Sequence, residues 1–140
     1  MGTLTSPVHP WPIRYRTYTI TAAEIVALGA STTGTITTPI VVPARGLVVA
    51  AGIRNNGTVG ATLTTLTAGV GYSGNASAFI GSDQSVFAAN AGIYRIPEWM
   101  SAPSLTADTN VSVFLTGSGN LSGLTGLSDG LTVTIAYIEG

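Results

Sequence analysis

The segment Leu131-Thr132-Val133-Thr134-Ile135-Ala136-Tyr137-Ile138 decides the fold class. Large apolar residues stand at its odd-numbered positions, and Thr or Ala occupies the even-numbered positions up to 136. Successive side chains of a β-strand point to opposite faces of a sheet, so this alternation predicts a strand with one face against a core. The side chains expected in the core are Leu131, Val133, Ile135 and Tyr137. The partner strand is predicted to be the one that carries Val111, Val113 and Leu115.

The rest of the chain consists largely of short runs of β-branched residues that are interrupted by Gly, Pro and Asn, a pattern typical of β-strands. Further strands are predicted from Arg16 onward and at residues 34–38, 47–54, 61–67, 77–80, 92–95, 104–106 and 110–116. The sequence Asn55-Asn56-Gly57-Thr58 predicts a tight hairpin, because Asn-Gly supplies the positive φ angles that such a turn requires. Residues 69–76 and 117–123 are predicted to be loops. The fold class is therefore predicted to be all-β, a jelly-roll-like antiparallel β-sandwich.

Residues 1–15 form a separate, proline-containing segment, and residues 16–140 are predicted to form one β-sandwich domain. Pro7, Pro10 and Pro12 disfavour a helix and favour an extended backbone. Apolar side chains between these prolines favour an arm docked on its own domain or on a neighbour; the alternative is a disordered tail. After the first strand, Thr21-Ala22-Ala23-Glu24 has the spacing of a helix capping box, and Gly29 is expected to end that short helix.

The composition predicts a surface that is covered by other protein chains. Charged residues make up 8% of the sequence, whereas an ordinary soluble domain carries roughly 25%. All five cations are arginines, and protein interfaces tolerate Arg while they are depleted of Lys, Glu and Asp. The net charge of −1 gives no attraction to a polyanion, so nucleic-acid binding is not expected.

No membrane span or signal peptide is expected either. The most apolar stretch, residues 36–53, is broken by two prolines and an arginine and is too short for a spanning helix. Residues 1–7 lack the basic start and apolar run of a signal peptide.

The sequence offers no pattern for catalysis, a metal or a cofactor, and none is predicted. The single histidine, His9, lies in the extended arm, where a rigid catalytic geometry is not expected. Asp108 with Asn110, and Asp129 in a Ser-Asp-Gly turn, have calcium binding as one interpretation and backbone capping as the favoured one. Four aromatic residues are candidates either for sugar stacking or, preferably, for core and interface anchors. These are Trp11, Tyr72, Tyr94 and Trp99.

The order of features along the chain resembles that of small tailed-phage virion proteins, in particular jelly-roll capsid decoration (cement) proteins. The resemblance covers most of the chain after Arg16 and rests on texture rather than on an invariant motif. The segments that carry it are Tyr18-Thr19-Ile20-Thr21-Ala22-Ala23-Glu24, Thr35-Ile36-Thr37, Val42-Pro43-Ala44-Arg45-Gly46, residues 48–54, residues 61–71 and Asn120-Leu121-Ser122-Gly123-Leu124-Thr125-Gly126-Leu127 before the last strand. It implies a homotrimer on the outer surface of an icosahedral head, bridging capsomers of the major capsid protein. No residue that the family uses for shell contact is identifiable here.

The leading hypothesis is a structural virion subunit, made in the host cytoplasm, whose N-terminal arm binds an adjacent subunit or the capsid. Apolar arm residues would be the anchors, and two arginines beside them would supply charge-assisted hydrogen bonds. The predicted interface residues are Val8, Trp11, Ile13, Arg14, Tyr15 and Arg16. The alternative is a receptor- or glycan-binding module on a phage tail or fibre, with Tyr72, Tyr94 or Trp99 as stacking residues. An enzyme is the least supported class.

Overall fold

The chain folds into eight β-strands and two short helical segments, as a computed structural model describes for residues 13–57, 63–88, 91–95, 105–124, 127 and 129–139. The first half contains β1 (Ile13–Ile20), α1 (Ala22–Val26), β2 (Thr33–Val42), β3 (Leu47–Asn55) and β4 (Leu66–Tyr72). The second half contains β5 (Asn75–Ser85), β6 (Gly92–Arg95), β7 (Thr109–Gly117), a 3₁₀ turn at Leu121–Gly123 and β8 (Leu131–Ile138).

The strands form two four-stranded antiparallel sheets. Sheet I has the order β1-β8-β3-β6, and sheet II has the order β2-β7-β4-β5. Eight antiparallel strands in two packed sheets are the architecture of a jelly roll. The predicted fold class, an all-β sandwich, is confirmed.

The core lies between the two sheets, and the alternation of β8 is confirmed there. All four predicted inward side chains of β8 are buried, as are Val111, Val113 and Leu115 of β7. The predicted pairing of these two strands is wrong, because β8 lies between β1 and β3 while β7 belongs to the other sheet. The inward side chains of both strands belong to the same hydrophobic core. Hydrophobic period identifies the inward face of a strand but carries no information about its hydrogen-bonded neighbour.

The hairpin predicted at residues 55–58 is also wrong. β3 lies in sheet I and β4 in sheet II, so the connection between them crosses from one sheet to the other. Asn55 is fully buried, and its side chain donates to the carbonyl of Val86 at 2.9 Å and accepts from the amide of Gly57 at 2.9 Å. The Asn residue therefore caps its own backbone and ties β3 to the segment after β5, and residues 58–60 lie outside the described range.

The boundaries of β4 and β5 differ from those predicted. β4 begins at Leu66 rather than at residue 61, and residues 69–72, predicted as loop, continue the strand. The reversal occurs at Ser73 and Gly74, where Gly74 has a φ of 100°. Gly71 is a strand residue, and glycine is required there because a Cβ atom would stand 2.1 Å from the carbonyl oxygen of Asn75. Residues 105 and 106, predicted as part of a strand, are not in one.

The N-terminal part of the described chain combines an edge strand with a capped helical turn. β1 begins at Ile13 rather than at Arg16, so the last three residues of the predicted arm pair with β8; residues 1–12 lie outside the described range. The division into arm and domain stays a prediction. The capping box is confirmed, since Thr21 and Glu24 exchange hydrogen bonds at the start of α1. Gly29 follows the helix with a φ of 86°.

Candidate interaction surface

Described residues from several parts of the chain meet at one end of the sandwich, here called the terminal end. Ile13 at the start of β1 pairs with Ile138 at the end of β8, which in turn pairs with Leu47 at the start of β3. The turn at residues 43–46 joins β2 to β3 at this same end. Residues 105–108 also lie here, because the amide of Arg45 donates to the carbonyl of Leu105 at 2.8 Å. The terminal end comprises Ile13, residues 43–46, residues 105–108 and Glu139.

Two edge strands present large apolar side chains near the terminal end. Among the described residues, the exposed large hydrophobic side chains are Ile13 (46% exposed), Tyr15 (61%) and Val41 (40%). Ile13 and Tyr15 lie on β1, Val41 lies on β2, and these edge strands of the two sheets contact each other. Ile13 and Tyr15 face outward from sheet I, whereas Val41 faces outward from sheet II, so Ile13 and Tyr15 are the pair that shares one face. Clustered exposed apolar groups are typical of interaction sites.

The two arginines of the predicted interface alternate with these apolar residues on β1. Arg14 forms an ion pair with Glu139 at 3.7 Å, and Arg16 donates to the carbonyl of Tyr15 at 3.0 Å. Alternation places both on the same side of the strand as the buried Ile20. Inward-pointing charges on an edge strand oppose the addition of another strand, which favours docking through the outward-facing Ile13 and Tyr15. Val8 and Trp11 lie outside the described residues.

The outer face of sheet I is almost free of charge. Tyr15 lies opposite Ala136, which lies opposite Ala50, and the next row contains Thr17, Thr134 and Gly52. The row beyond that contains Thr19, Thr132 and Arg54. Small and hydroxylated side chains therefore cover most of this face.

The outer face of sheet II has the same character. Thr33, Thr35 and Thr37 of β2 are exposed in alternation with buried residues. Thr35 lies opposite Phe114 of β7, and Phe114 lies opposite Gly69 of β4. Across β2, β7 and β4, no described residue on this face is charged.

A groove of about 430 Å³ lies on the outer face of sheet I, away from the terminal end. Gly52 on β3 and Gly92 on β6 line one part of the groove, and Thr132 and Thr134 on β8 line another. The side-chain amide of Asn56 donates to the hydroxyl of Thr132 at 2.6 Å, and the hydroxyls of Thr132 and Thr19 share a hydrogen bond at 3.3 Å. The lining residues are Gly52, Ile53, Arg54, Asn56, Gly92, Ile93, Thr132 and Thr134.

The structure separates two of the aromatic residues proposed for sugar stacking. Tyr94 lies opposite Gly52 in sheet I, next to the groove. Tyr72 lies in sheet II, where it packs against Phe79 with ring centroids 6.0 Å apart. A shared platform of Tyr72 and Tyr94 is therefore excluded by the topology. Trp11 and Trp99 lie outside the described residues.

Two of the residues considered for calcium binding, Asp108 and Asn110, bind backbone groups. Asp108 accepts from the amide of Ala44 at 2.9 Å, and the side chain of Asn110 donates to the carbonyl of Thr38 at 3.0 Å. Both bonds join neighbouring segments, so the expectation that these two residues cap their own backbone is wrong. Within the described ranges no three side chains of His, Asp or Glu come together. His9 is not described.

Tyr18 and Glu24 are electrostatically coupled at the start of α1. The Tyr18 hydroxyl donates to Glu24 at 2.6 Å, and the Thr21 amide donates to the same carboxylate at 2.8 Å. Burial acts to raise the pKa of Glu24, but these hydrogen bonds together outweigh it and place that pKa below its ordinary value. The hydrogen bond to Glu24 raises the pKa of Tyr18. This pair anchors the helix to β1 and is a structural element.

One feature of the terminal end escaped the sequence analysis. Arg45, in the turn between β2 and β3, is exposed and has a φ of 64°. The neighbouring Gly46 is the residue that a sequence pattern would assign to such a conformation, so no signal marked Arg45. The groove also lacked a signal, because its walls come from three segments distant in sequence. No helix in the described part of the chain is long and apolar enough to cross a membrane.

Comparison with known proteins gives a match of fold. The chain is similar to one in the solved structure described as the Cyanophage Pam1 capsid asymmetric unit, with a TM-score of 0.61 at 17% sequence identity. The match covers 99% of this chain and 94% of that chain. No family model matches the sequence. No curated protein matches it either.

Proposed function

We propose that this chain is a structural subunit of a phage virion. In finer detail, it is a decoration (cement) protein that binds the outer surface of an icosahedral head as a homotrimer and bridges neighbouring capsomers of the major capsid protein. The role is structural and requires no catalysis. The similarity of fold to a chain of a cyanophage capsid structure supports this class of protein.

The observation that carries the proposal is the absence of charged side chains at the outward positions of β1, β8, β2, β7 and β4. Exposed faces of soluble domains normally carry charged side chains of both signs, whereas protein interfaces are depleted of Lys, Asp and Glu. Here the outward positions of β1, β8, β2 and β7 are Thr, Ser, Ala, Asn and apolar residues. Such faces remain soluble through hydroxyl groups and lose little side-chain entropy when another subunit covers them.

The side formed by β1 and β2 supplies the proposed anchor. Ile13 and Tyr15 continue directly from residues 1–12, which carry Val8 and Trp11. These four side chains are the proposed apolar anchors, and Arg14 and Arg16 beside them would contribute polar contacts at the rim. Docking through these anchors leaves the folded sandwich intact, because β1 already pairs with β8 along its whole length.

A binding experiment with heads tests the proposal. Heads of the phage that encodes the chain, prepared without this subunit, are incubated with purified protein and sedimented. We expect saturable binding of the full chain and loss of binding on deletion of residues 1–12, with the thermal unfolding midpoint unchanged. A chain in which a Gly/Ser segment of equal length replaces residues 1–12 should also fail to bind. Absence of binding by the full chain would contradict the proposal, and binding by the Gly/Ser variant would contradict the anchoring role of the arm.

A second candidate function, glycan binding, is favoured by the groove on sheet I. Its volume of about 430 Å³ and its hydroxyl and amide groups suit a small saccharide. A glycan array tests this candidate with the wild type and with Thr134→Trp, which would fill the groove. Specific binding that the substitution abolishes would favour the glycan function over the structural one.

A further inference from the structure

We propose that Arg45 binds a carboxylate on the protein subunit against which the terminal end docks. This inference rests on the proposed function and adds the chemistry of the partner: an acidic protein surface with apolar groups beside its carboxylate. Neither Arg45 nor the turn that carries it belongs to the predicted arm interface.

The backbone of Arg45 is held in a conformation that disfavours its side chain. Among the described residues other than glycine, Arg45 alone has a positive φ, 64°. An L-residue pays a steric penalty there that glycine does not. Strain of this kind persists only where the surroundings impose it, and it is concentrated at functional positions.

Contacts on both sides of Arg45 impose the turn. The Ala44 amide donates to Asp108 at 2.9 Å, and the Gly46 amide donates to the carbonyl of Pro43 at 2.8 Å. The glycine at position 46 is required for another reason, because a Cβ atom there would lie 2.8 Å from the Pro43 carbonyl oxygen. In this turn, position 46 is glycine because a side chain has no room there. Position 45 is arginine, although glycine would adopt its positive φ without strain.

Within the described residues, the side chain of Arg45 makes no interaction that would offset the steric cost of its positive φ. Its guanidinium makes no hydrogen bond or ion pair with any residue in the described ranges, and the residue is exposed. Arg14 and Arg16, in contrast, have partners within the chain, and Arg54 interacts as well. A strained position that carries a free, exposed cation is best explained by a partner outside the chain.

The chemistry of that partner follows from the guanidinium and its surroundings. A planar guanidinium matches a carboxylate through two parallel hydrogen bonds, a geometry that a lysine cannot provide. The exposed Val41 lies four residues before Arg45. Leu47 lies two residues after Arg45 and pairs with Ile138, which in turn pairs with Ile13. An Arg flanked by apolar groups has the composition of an interface hot spot.

Variants at position 45 test the inference with the head-binding assay described above. Arg45→Gly removes the guanidinium and relieves the strain, so we expect an equal or higher unfolding midpoint together with a Kd raised by roughly ten-fold or more. Arg45→Lys should bind with intermediate affinity, and Arg45→Glu more weakly than Arg45→Gly because it places two carboxylates together. Arg45→Asn, which also tolerates a positive φ, replaces Arg45→Gly if that variant folds poorly.

A matched control changes the net charge by the same amount elsewhere. Ala30→Asp introduces one negative charge at an exposed position in the connection between α1 and β2, at the opposite end of the sandwich. It should bind heads as the wild type does. Wild-type affinity in Arg45→Gly and Arg45→Asn would overturn this inference while leaving the proposed function intact. Failure of the wild type itself to bind would instead overturn the proposed function.

Discussion

The hydroxyl of Thr38 donates a 2.8 Å hydrogen bond to the carbonyl of Val111, across the seam between β2 and β7. The same hydroxyl accepts from the amide of Ile40 at 3.2 Å. The regular pairing of these strands is interrupted between Thr37 and Val41, around Pro39, which has no amide to donate. One buried side chain thus replaces the ladder hydrogen bonds that the irregularity removes.

Thr38→Val should therefore destabilise the sandwich, although the shape of the side chain is preserved. Two buried backbone groups would lose their partner, and we expect a loss of about 1–3 kcal/mol in the free energy of unfolding. Urea unfolding measures it. Thr35→Val, at an exposed outward position of the same strand, is the control and should change stability by less than about 0.5 kcal/mol. Equal stabilities of the two variants would show that the Thr38 hydroxyl is dispensable.

Gly71→Ala should disrupt the hairpin of β4 and β5. The added Cβ atom would stand 2.1 Å from the carbonyl oxygen of Asn75 and 2.8 Å from the carbonyl carbon of Ala76, both backbone atoms that cannot rotate away. We expect a loss of about 1–3 kcal/mol or more, measured by thermal unfolding. Thr67→Ala on the same strand is the control. A Gly71→Ala variant as stable as the wild type would contradict the close approach of these strands.

Acidification should weaken the fold through Glu24. Hydrogen bonds hold the pKa of this carboxyl below its ordinary value of 4.5, against the opposing effect of burial. A group with a lowered pKa in the folded state stabilises above its unfolded pKa, and the stabilisation is lost as the pH falls through the folded value. Stability measured by urea unfolding between about pH 5 and pH 3 should therefore fall less steeply in Glu24→Gln than in the wild type.

Tyr18→Phe gives an independent check on the same group. It removes the hydroxyl that donates to Glu24 at 2.6 Å, so the pKa of Glu24 should move toward its ordinary value and the acid slope should become shallower. The pKa of Tyr18 is itself raised in the folded state. Its contribution to the free energy of unfolding is therefore present below the unfolded pKa of 10.0 and is lost as the pH rises through the folded pKa. If the stability of Tyr18→Phe and of Glu24→Gln falls with acid pH as steeply as that of the wild type, this coupling is excluded.

Local signals in the sequence sufficed for the features that depend on a few adjacent residues. The alternation of β8 identified its buried face, and the spacing from Thr21 to Glu24 identified the capped helical turn. Strand pairing could not be obtained in this way. β8 and β7 are both half-apolar strands, and only the crossing of the chain between sheets decides that they face each other rather than pair.

The errors around β4 have a specific physical cause. Gly69 and Gly71 weaken the strand signal, yet the first lies beside Phe114 and the second allows the close approach of Asn75. Glycine was interpreted as a loop former, whereas here it provides space within a sheet. At the candidate site, sequence reasoning found Ile13 and Tyr15 through their apolar character but had no means of detecting the strain at Arg45.

The exposed apolar pair on β1 should control self-association. A double variant, Ile13→Ser with Tyr15→Ser, removes two large side chains that are 46% and 61% exposed, so its unfolding midpoint should remain close to that of the wild type. If the 14.1 kDa chain forms the proposed trimer, native mass spectrometry should show it for the wild type and a shift of the variant toward monomer. Thr17→Ser, further along the same strand, should leave the trimer unchanged. A double variant that remains trimeric would exclude this pair from the subunit interface.

The proposed virion role is best examined by cryo-electron microscopy of phage particles that contain this chain. We expect density for the sandwich on the outer surface of the head, with copies grouped in threes at the junctions between capsomers. Residues near Ile13 and Arg45 should face the neighbouring protein. A head whose outer surface lacks this density, or a copy of the chain that touches no other protein, would exclude the decoration role.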